Sequence, residues 1–241
     1  MHLGIFLEQV PDGNMAWWQM LASGLGWTLA TAFFAWIMAF VLGSIVGVVR
    51  TTDNRWAVRI GDAYVELFRN IPLIVQFFIW YFVVPGLVLA VKRWVVTLDP
   101  TQHQFVTAVI CLGFFTSARI AEQVRSGIQS LSRGQRNAGY ALGLTQTQTY
   151  RYVLLPMAYR IIIPPLTSEI MNLIKNTAVA YSIGLVELFF RTREMAEMTF
   201  RYFDAFTAAT VIYVAIALTA NRVMALIERR LAVPGYITGG K

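Results

Sequence analysis

Polar side chains embedded in two long apolar stretches are the residues of this sequence that could bind a ligand. In the first stretch, helical geometry at about 100° per residue places them on one arc of about 80°. They are Thr116, Arg119, Gln123 and Ser126. An arginine guanidinium is always charged and can bind a carboxylate through two parallel hydrogen bonds. Arg119 is therefore the first candidate ligand for an anionic substrate.

A second polar arc, about 120° wide, lies further along the chain. Its members are Ser168, Glu169, Asn172, Lys175 and Asn176. Charged residues within apolar spans usually face a protein interior or a water-filled path, because a charge in lipid costs several kcal/mol. The arc predicts either the lining of a solvated substrate route or internal packing in which neighbouring subunits neutralise Glu169 and Lys175. For Arg119 the alternatives are an ion pair with Glu122 or Glu169, or a side chain that reaches the membrane interface.

Membrane-spanning helices are the elements that must position these arcs. Of the 241 residues, 57% are hydrophobic and 14% are charged, whereas soluble domains carry about 25% charged residues. No Asp, Glu, Lys or Arg occurs in 13–49, 70–91, 100–118 or 205–221, and about 20 apolar residues span a bilayer. We predict an all-α, polytopic membrane protein with five transmembrane helices near 22–49, 68–91, 104–125, 157–186 and 205–227.

The basic residues predict the orientation of the chain. Lys and Arg concentrate in cytoplasmic connections, and the two sides of the predicted spans hold 14 and 6 of them. We therefore predict a periplasmic N-terminus and a cytoplasmic C-terminus. The net charge is +7, and its basic residues lie between the apolar stretches. Proteins that bind nucleic acid instead gather Lys and Arg into a stripe on a soluble fold, so this charge does not indicate nucleic-acid binding.

Backbone-specific residues modify this scheme at two places. Pro164 and Pro165 lie within the fourth predicted span, and proline lacks the N–H that a helix needs. We expect them to interrupt that span, which is tolerated where protein or water surrounds the break. Gly43 and Gly47 have the spacing that lets another helix approach the first span closely.

The longest connection, residues 129–151, has the features of a docking segment. It predicts a short helix that Gly143 ends in the left-handed conformation, and then a second helix that Thr145 and Gln148 begin as a capping box. Small residues, Ala138 and Gly139, would fit a cleft on another protein. An ordinary connecting helix is the alternative that these local features leave open.

The spacing in this segment closely resembles the EAA loop of permease subunits in bacterial ATP-binding-cassette (ABC) importers. That family pattern reads Glu-Ala-Ala, three residues, Gly, nine residues, Ile, one residue, Leu-Pro. The chain has Asn137-Ala138-Gly139, Gly143, Val153 and Leu155-Pro156 at the matching positions, so that Asn137 replaces Glu and Gly139 replaces the second Ala.

Further segments resemble the polar amino-acid branch of these permeases, over residues 28–234. Residues 66–76 and 121–128 resemble signatures of that branch. More narrowly, Arg119 and segments 133–135, 150–156 and 167–176 resemble the glutamate/aspartate importer permeases. The resemblance implies that residues 1–241 form a single permease domain with the type I importer fold, in the bacterial inner membrane.

The same resemblance implies the partners and the role of the chain. A similar but distinct permease would pair with it, a periplasmic binding protein would deliver the amino acid, and two ATPase subunits would bind the coupling loop. The coupling residues are Arg136, Asn137, Ala138, Gly139, Gly143, Leu155 and Pro156. No phosphate-binding loop of the form G-x-x-x-x-G-K-[ST] occurs, so ATP would be hydrolysed by the ATPase subunits. We expect this chain to bind no cofactor or metal and not to be an enzyme.

We therefore predict a permease that moves L-glutamate and L-aspartate. The substrate-pathway candidates are Thr116, Arg119, Gln123, Glu169, Asn172, Lys175 and Asn176. An ion-coupled secondary transporter is disfavoured, since no paired half-sequences of an inverted repeat are found. A membrane enzyme lacks a catalytic cluster, and a homomeric channel leaves the 129–151 segment without a role. Another polar amino acid within the same class is the most serious alternative.

Overall fold

The computed structural model describes residues 3–11 and 15–231. In this part of the chain the structure is helical, and its only β contact is an isolated bridge between Gln9 and Ala16. The α-helices are α1 Trp17–Val49, α2 Arg55–Asn70, α3 Leu73–Phe78, α4 Val84–Leu87, α5 Leu89–Val95, α6 Pro100–Gln129, α7 Arg133–Ala141, α8 Gln146–Thr149, α9 Leu155–Asn176, α10 Leu188–Thr199 and α11 Tyr202–Leu231. The predicted all-α class is confirmed.

Short 3-10 and π-helical segments join some of these helices. The 3-10 segments are Leu3–Leu7 and Thr177–Ile183, and the π-helical segments are Ile79–Val83 and Tyr150–Leu154. The two ends of the chain, whose opposite sides the basic residues predict, lie outside the described residues.

Four stretches of the described chain are long and apolar enough to cross a bilayer: Trp17–Val49, Pro100–Gln129, Gln146–Ile183 and Tyr202–Leu231. A fifth span results if Arg55–Asn70 and Leu73–Leu87 count as one, although the chain bends by 104° between them. The bend lies between Asn70 and Leu73, at the start of the second predicted span, 68–91. Pro72 there adopts φ −55° and ψ 138°, and a proline disfavours the helical conformation of the residue before it.

The expected interruption of the fourth span is wrong. Helix α9 continues through Pro164 and Pro165, because the φ of proline is compatible with a helix. The two missing N–H groups leave only the carbonyls of Arg160 and Ile161, four residues earlier, without their helical donors. Such a local loss is tolerated in a membrane helix where protein or water surrounds it.

The chain forms two compact units. The first comprises the described residues within Met1–Met38, Ile71–Gly113 and Asn172–Leu218, and the second those within Ala39–Asn70, Phe114–Met171 and Thr219–Lys241. The first unit has one apolar core that includes Trp17, Leu188 and Met195. A second core in this unit includes Phe77 and the fully buried Cys111.

Close helix packing in the second unit positions α6. A Cβ at Gly43 would lie 2.7 Å from the carbonyl oxygen of Ser117, and one at Gly47 would lie 2.8 Å from that of Ala121. Contacts this short require glycine, so the predicted close approach to the first span is confirmed, with α6 as the partner.

Candidate functional site

The polar arc of α6 combines buried and exposed residues. Thr116 is buried, whereas Arg119 is exposed and Gln123 is half-buried. The guanidinium carbon of Arg119 lies 4.8 Å from the centroid of the Phe115 ring, a cation–π contact. None of the ion pairs within 4.0 Å among residues 3–11 and 15–231 includes Arg119. Its guanidinium therefore keeps its hydrogen-bonding capacity for a ligand.

A polar pocket adjoins Arg119 within the second unit. Its volume is about 340 Å³, and it is lined by Arg69, Arg119, Glu122, Gln123 and Glu169. This volume lies in the range of small-molecule sites. The Gln123 amide donates a hydrogen bond to Glu169 Oε1 at 3.2 Å. The pocket thus offers guanidinium groups for a carboxylate and a carboxylate for an ammonium group, the two charged groups of any free amino acid.

Glu122 is already engaged by other arginines. Its Oε2 accepts a hydrogen bond from Arg50 Nη1 at 2.7 Å and lies 3.9 Å from Arg69 Nη1, and its Oε1 lies 3.5 Å from Arg125 Nη1. Arg50 Nε also donates to Asp62 Oδ1 at 2.7 Å. Burial lowers the pKa of Arg50, but the hydrogen bonds to Glu122 and Asp62 outweigh it and raise that pKa. This cluster ties the end of α1 to α2 and α6.

The second polar arc, on α9, is divided by the fold. Glu169 lines the pocket, whereas Asn172, Lys175 and Asn176 belong to the first unit. Lys175 is exposed, and Asn172 and Asn176 are half-buried. Of the seven predicted pathway residues, the structure brings Arg119, Gln123 and Glu169 to one pocket, and it does not place Thr116, Asn172, Lys175 or Asn176 in its lining.

Two pocket residues, Arg69 and Glu122, are missing from the predicted set. Arg69 lies in the 66–76 segment, which carries a family resemblance, and that resemblance was the available signal. Its proximity to α6 depends on how α2 packs, and a single sequence gives no measure of that packing.

The coupling segment forms as its local sequence predicts. Gly143 adopts φ +76°, the Leu144 N–H donates to the Gly139 carbonyl at 3.1 Å, and the Gly143 N–H donates to the Tyr140 carbonyl at 2.9 Å. This pair of bonds is the Schellman ending of a helix. Thr145 and Gln148 form the predicted capping box at the start of α8.

Specific contacts hold the coupling segment against the rest of the second unit. The Tyr150 hydroxyl donates to the carbonyl of Thr51 at 2.7 Å, and the Gln146 amide donates to Asp53 Oδ2 at 3.3 Å. The guanidinium of Arg136 lies 5.9 Å from the Tyr150 ring centroid.

The replacement of the second Ala of the family pattern by Gly139 has a steric reason. Gly139 is buried, and a Cβ at this position would lie 2.8 Å from Cγ2 of Thr149. Contacts below 3.0 Å require one group to move, so an alanine at position 139 would displace the Thr149 side chain or α7 itself.

Other coupling residues form an exposed surface. Asn137, Ala138, Gly143 and Pro156 are exposed, and Leu155 is half-buried. Leu142, beside Gly143, is 81% exposed. These exposed residues are accessible to another protein at the end of α7.

Comparisons with known proteins identify the family of this chain. Residues 39–233 match the family of binding-protein-dependent transport system inner membrane components. The glutamate/aspartate import permease protein GltJ of Escherichia coli K12 is 49% identical over 240 residues, covering 99% of this chain and 97% of GltJ.

More distant relatives have the same general role. A probable glutamine ABC transporter permease, GlnM of Bacillus subtilis, is 33% identical, covering 88% of this chain and 93% of GlnM. The glutamate/aspartate permease GltK of Escherichia coli O6:H1 is 30% identical, covering 88% of this chain and 93% of GltK.

The fold has a counterpart of known structure. The crystal structure of an amino acid ABC transporter with histidines matches with a TM-score of 0.74 at 28% identity, covering 89% of this chain and 95% of that one. The chain therefore belongs to the family of binding-protein-dependent transport system inner membrane components, as a permease subunit of an ABC importer with the type I fold.

Proposed function

We propose that this chain is the permease that moves L-glutamate and L-aspartate from the periplasm to the cytoplasm. The observation that carries the proposal is its 49% identity with GltJ over nearly its whole length. The guanidinium of Arg119, which lines the polar pocket and has no ion pair among the described residues, supports it, because these substrates have a second carboxylate.

The pocket residues take complementary roles in this proposal. Arg119 binds a substrate carboxylate, Glu169 attracts the ammonium group, and Gln123 holds Glu169 through its hydrogen bond. The other pathway candidates contact the substrate at other points along α6 and α9; they are Thr116, Asn172, Lys175 and Asn176.

Uptake by the Arg119→Leu variant tests this assignment. In proteoliposomes that contain the complete transporter, we expect labelled-glutamate uptake to fall at least about tenfold, since a charged hydrogen bond is worth about 1.5–3 kcal/mol. The matched control is Arg222→Gln, which removes an exposed charge on α11. Full glutamate uptake by Arg119→Leu contradicts the role of Arg119. Saturable glutamine uptake by the wild type, without glutamate uptake, contradicts the proposed substrate.

The second part of the proposal assigns residues 129–151, with Leu155 and Pro156, to ATPase docking. Two ATPase subunits, a second and distinct permease, and a periplasmic binding protein complete the transporter. ATP is hydrolysed by the ATPase subunits, whose closure moves α7 and shifts the transporter between outward-open and inward-open states. A shift of this kind requires different contacts in each state, and the exposed residues around Asn137 and Leu142 are available for them.

Variants at Gly143 separate the shape of the docking segment from the insertion of the chain. Gly143→Val places a β-branched residue at φ +76°, which such residues rarely adopt, so we expect mass spectrometry of the tagged, detergent-purified protein to show reduced ATPase recovery. Gly143→Asn is the matched control, because Asn tolerates the left-handed conformation better than most residues. Recovery of the ATPase and coupled uptake at wild-type levels by both variants would contradict the docking role.

The third part of the proposal is the orientation in the bacterial inner membrane, with a periplasmic N-terminus and a cytoplasmic C-terminus. Thr97 and Thr147 are exposed in connections predicted on opposite sides. Because Cys111 is fully buried, Thr97→Cys and Thr147→Cys can be labelled selectively. A membrane-impermeant maleimide should label Thr97→Cys in intact spheroplasts and Thr147→Cys only after permeabilisation. The reverse result overturns the orientation.

A further inference from the structure

One face of α2 packs against the other elements of the second unit. Gly61 packs beneath the Arg50 side chain, where a Cβ would lie 2.6 Å from Arg50 Cγ. Asp62 is bonded to Arg50 at 2.7 Å, and the Tyr64 hydroxyl is hydrogen-bonded to Ser117. These contacts determine which residues of α2 face outward.

The outward face of α2 is itself amphipathic. Trp56, Ile60 and Leu67 are 72%, 70% and 54% exposed. With Ala63 they form an apolar strip about 60° wide at 100° per residue. Arg55 and Arg59 lie along one edge of this strip and are exposed, and the Arg59 guanidinium lies 5.4 Å from the Trp56 ring centroid.

The two arginines of this edge differ in pairing from others in the described chain. Arg50, Arg69 and Arg125 contact carboxylates, as do Arg191 and Arg193. Within residues 3–11 and 15–231, no ion pair within 4.0 Å includes Arg55 or Arg59. They are one helical turn apart, where like charges repel each other. An anion bound between them would remove this repulsion.

We infer that α2 binds an anionic phospholipid, with Arg55 and Arg59 on the phosphate and with Trp56, Ile60 and Leu67 beside the acyl chains. Basic residues next to an exposed Trp and Leu face are the composition of helices that lie in the membrane interface. An anionic lipid supplies both a negative charge for Arg55 and Arg59 and acyl chains that cover the exposed apolar strip. The inference rests on the membership of an integral membrane family and not on the proposed substrate.

Lipid retention tests the two arginines. The complete transporter is purified in mild detergent from membranes that contain phosphatidylglycerol, and native mass spectrometry measures the phosphatidylglycerol bound per complex. We expect Arg55→Gln with Arg59→Gln to lower this occupancy at least about fivefold. The matched control is Lys92→Gln with Arg93→Gln, which removes the same charge from exposed residues of α5. Unchanged occupancy in the α2 variant, or an equal loss in the control, overturns the inference.

A second measurement distinguishes a lipid from a protein that covers α2. The Ile60→Cys variant is labelled with bimane in nanodiscs that contain phosphatidylglycerol, with Cys111 buried and unreactive. A lipid-facing label should be quenched by a nitroxide on the acyl chain. Protection from this quencher, together with cross-linking of the introduced cysteine to the second permease, would show that the partner chain occupies this face and would overturn the inference.

Discussion

Arg50 and Arg119 have the same permanent charge in the same compact unit but opposite surroundings. Arg50 is 7% exposed and is bonded to both Asp62 and Glu122 at 2.7 Å. Arg119 is exposed, contacts the Phe115 ring and lines the polar pocket. The difference teaches that pairing, and not residue type, separates an arginine that holds helices together from one that is available to a ligand.

The largest expected effect on stability follows the loss of Arg50. Arg50→Gln leaves Asp62 without its cation and removes part of the side chain that packs against Gly61. Breaking a buried pair costs about 3–5 kcal/mol, and because both carboxylates are partly exposed we expect about 2–3 kcal/mol of lost unfolding free energy. Thermal unfolding of the purified complex measures it. Arg193→Gln breaks an exposed pair with Glu197 and should cost less than about 1 kcal/mol. Equal losses of unfolding free energy in the two variants would contradict the structural role of Arg50.

The next effect tests the carboxylate at the centre of the cluster. Glu122→Gln keeps the shape of the side chain but leaves three cations, Arg50, Arg69 and Arg125, around a neutral amide. We expect a loss of about 1–2 kcal/mol, measured by the same thermal unfolding. Glu197→Gln, at an exposed i,i+4 pair, is the control and should change stability by less than about 0.5 kcal/mol. High salt should reduce the difference between the two variants, and its persistence would argue against a charge effect.

A buried acid that forms no ion pair with an arginine in the described part of the chain extends the comparison. Glu187 is fully buried at the start of α10 and accepts hydrogen bonds from the N–H groups of Phe189 and Phe190 and from the Tyr213 hydroxyl. Burial raises the pKa of Glu187 above its ordinary value of 4.5, although the hydrogen bonds partly oppose the shift. A raised carboxyl pKa favours the folded state at low pH, and this contribution is lost as the pH rises from 4.5 through the folded-state value.

The Glu187→Gln variant tests the direction of this pH dependence of stability. The variant has no titrating group at this position, so the midpoint of unfolding should fall less than in the wild type as the pH is raised above 4.5. Thermal unfolding at a series of pH values measures both slopes, with Glu197→Gln as the exposed control. Identical slopes for Glu187→Gln and the wild type would exclude the predicted effect of burial.

The smallest effect on stability is expected at Arg119. Arg119→Gln removes an exposed charge that has no ion pair among the described residues, so unfolding free energy should change by less than about 0.5 kcal/mol. The same variant should lose glutamate uptake, which Arg222→Gln should keep. A stability loss close to that of Arg50→Gln would abolish the contrast and place Arg119 among the structural arginines.

Features with short-range causes could be predicted from the sequence. The all-α class follows from the apolar runs, and the end of α7 at Gly143 and the capping box at Thr145 depend on residues within one or two helical turns. The spacing of Gly43 and Gly47 predicted that some helix packs closely on α1, but it did not predict that this helix is α6. The partner depends on how distant segments pack.

The wrong expectation concerns proline inside a helix. The chain bends at Pro72, before α3, whereas α9 is continuous through Pro164 and Pro165. Proline lacks the N–H of a helical residue in each case. Whether a helix continues past it depends on the packing of the whole helix, which a single sequence does not show.

The sequence by itself determined the membrane class, the polar arcs on α6 and α9, and the helix endings of the coupling segment, because these depend on composition and local backbone chemistry. Only the tertiary structure decided which charges are paired. It paired Glu122 with Arg50, Arg69 and Arg125, placed Arg119 and Glu169 in one pocket, and packed Gly139 closely against Thr149. Ion pairing and steric fit depend on distances between residues far apart in the chain, and folding alone sets those distances.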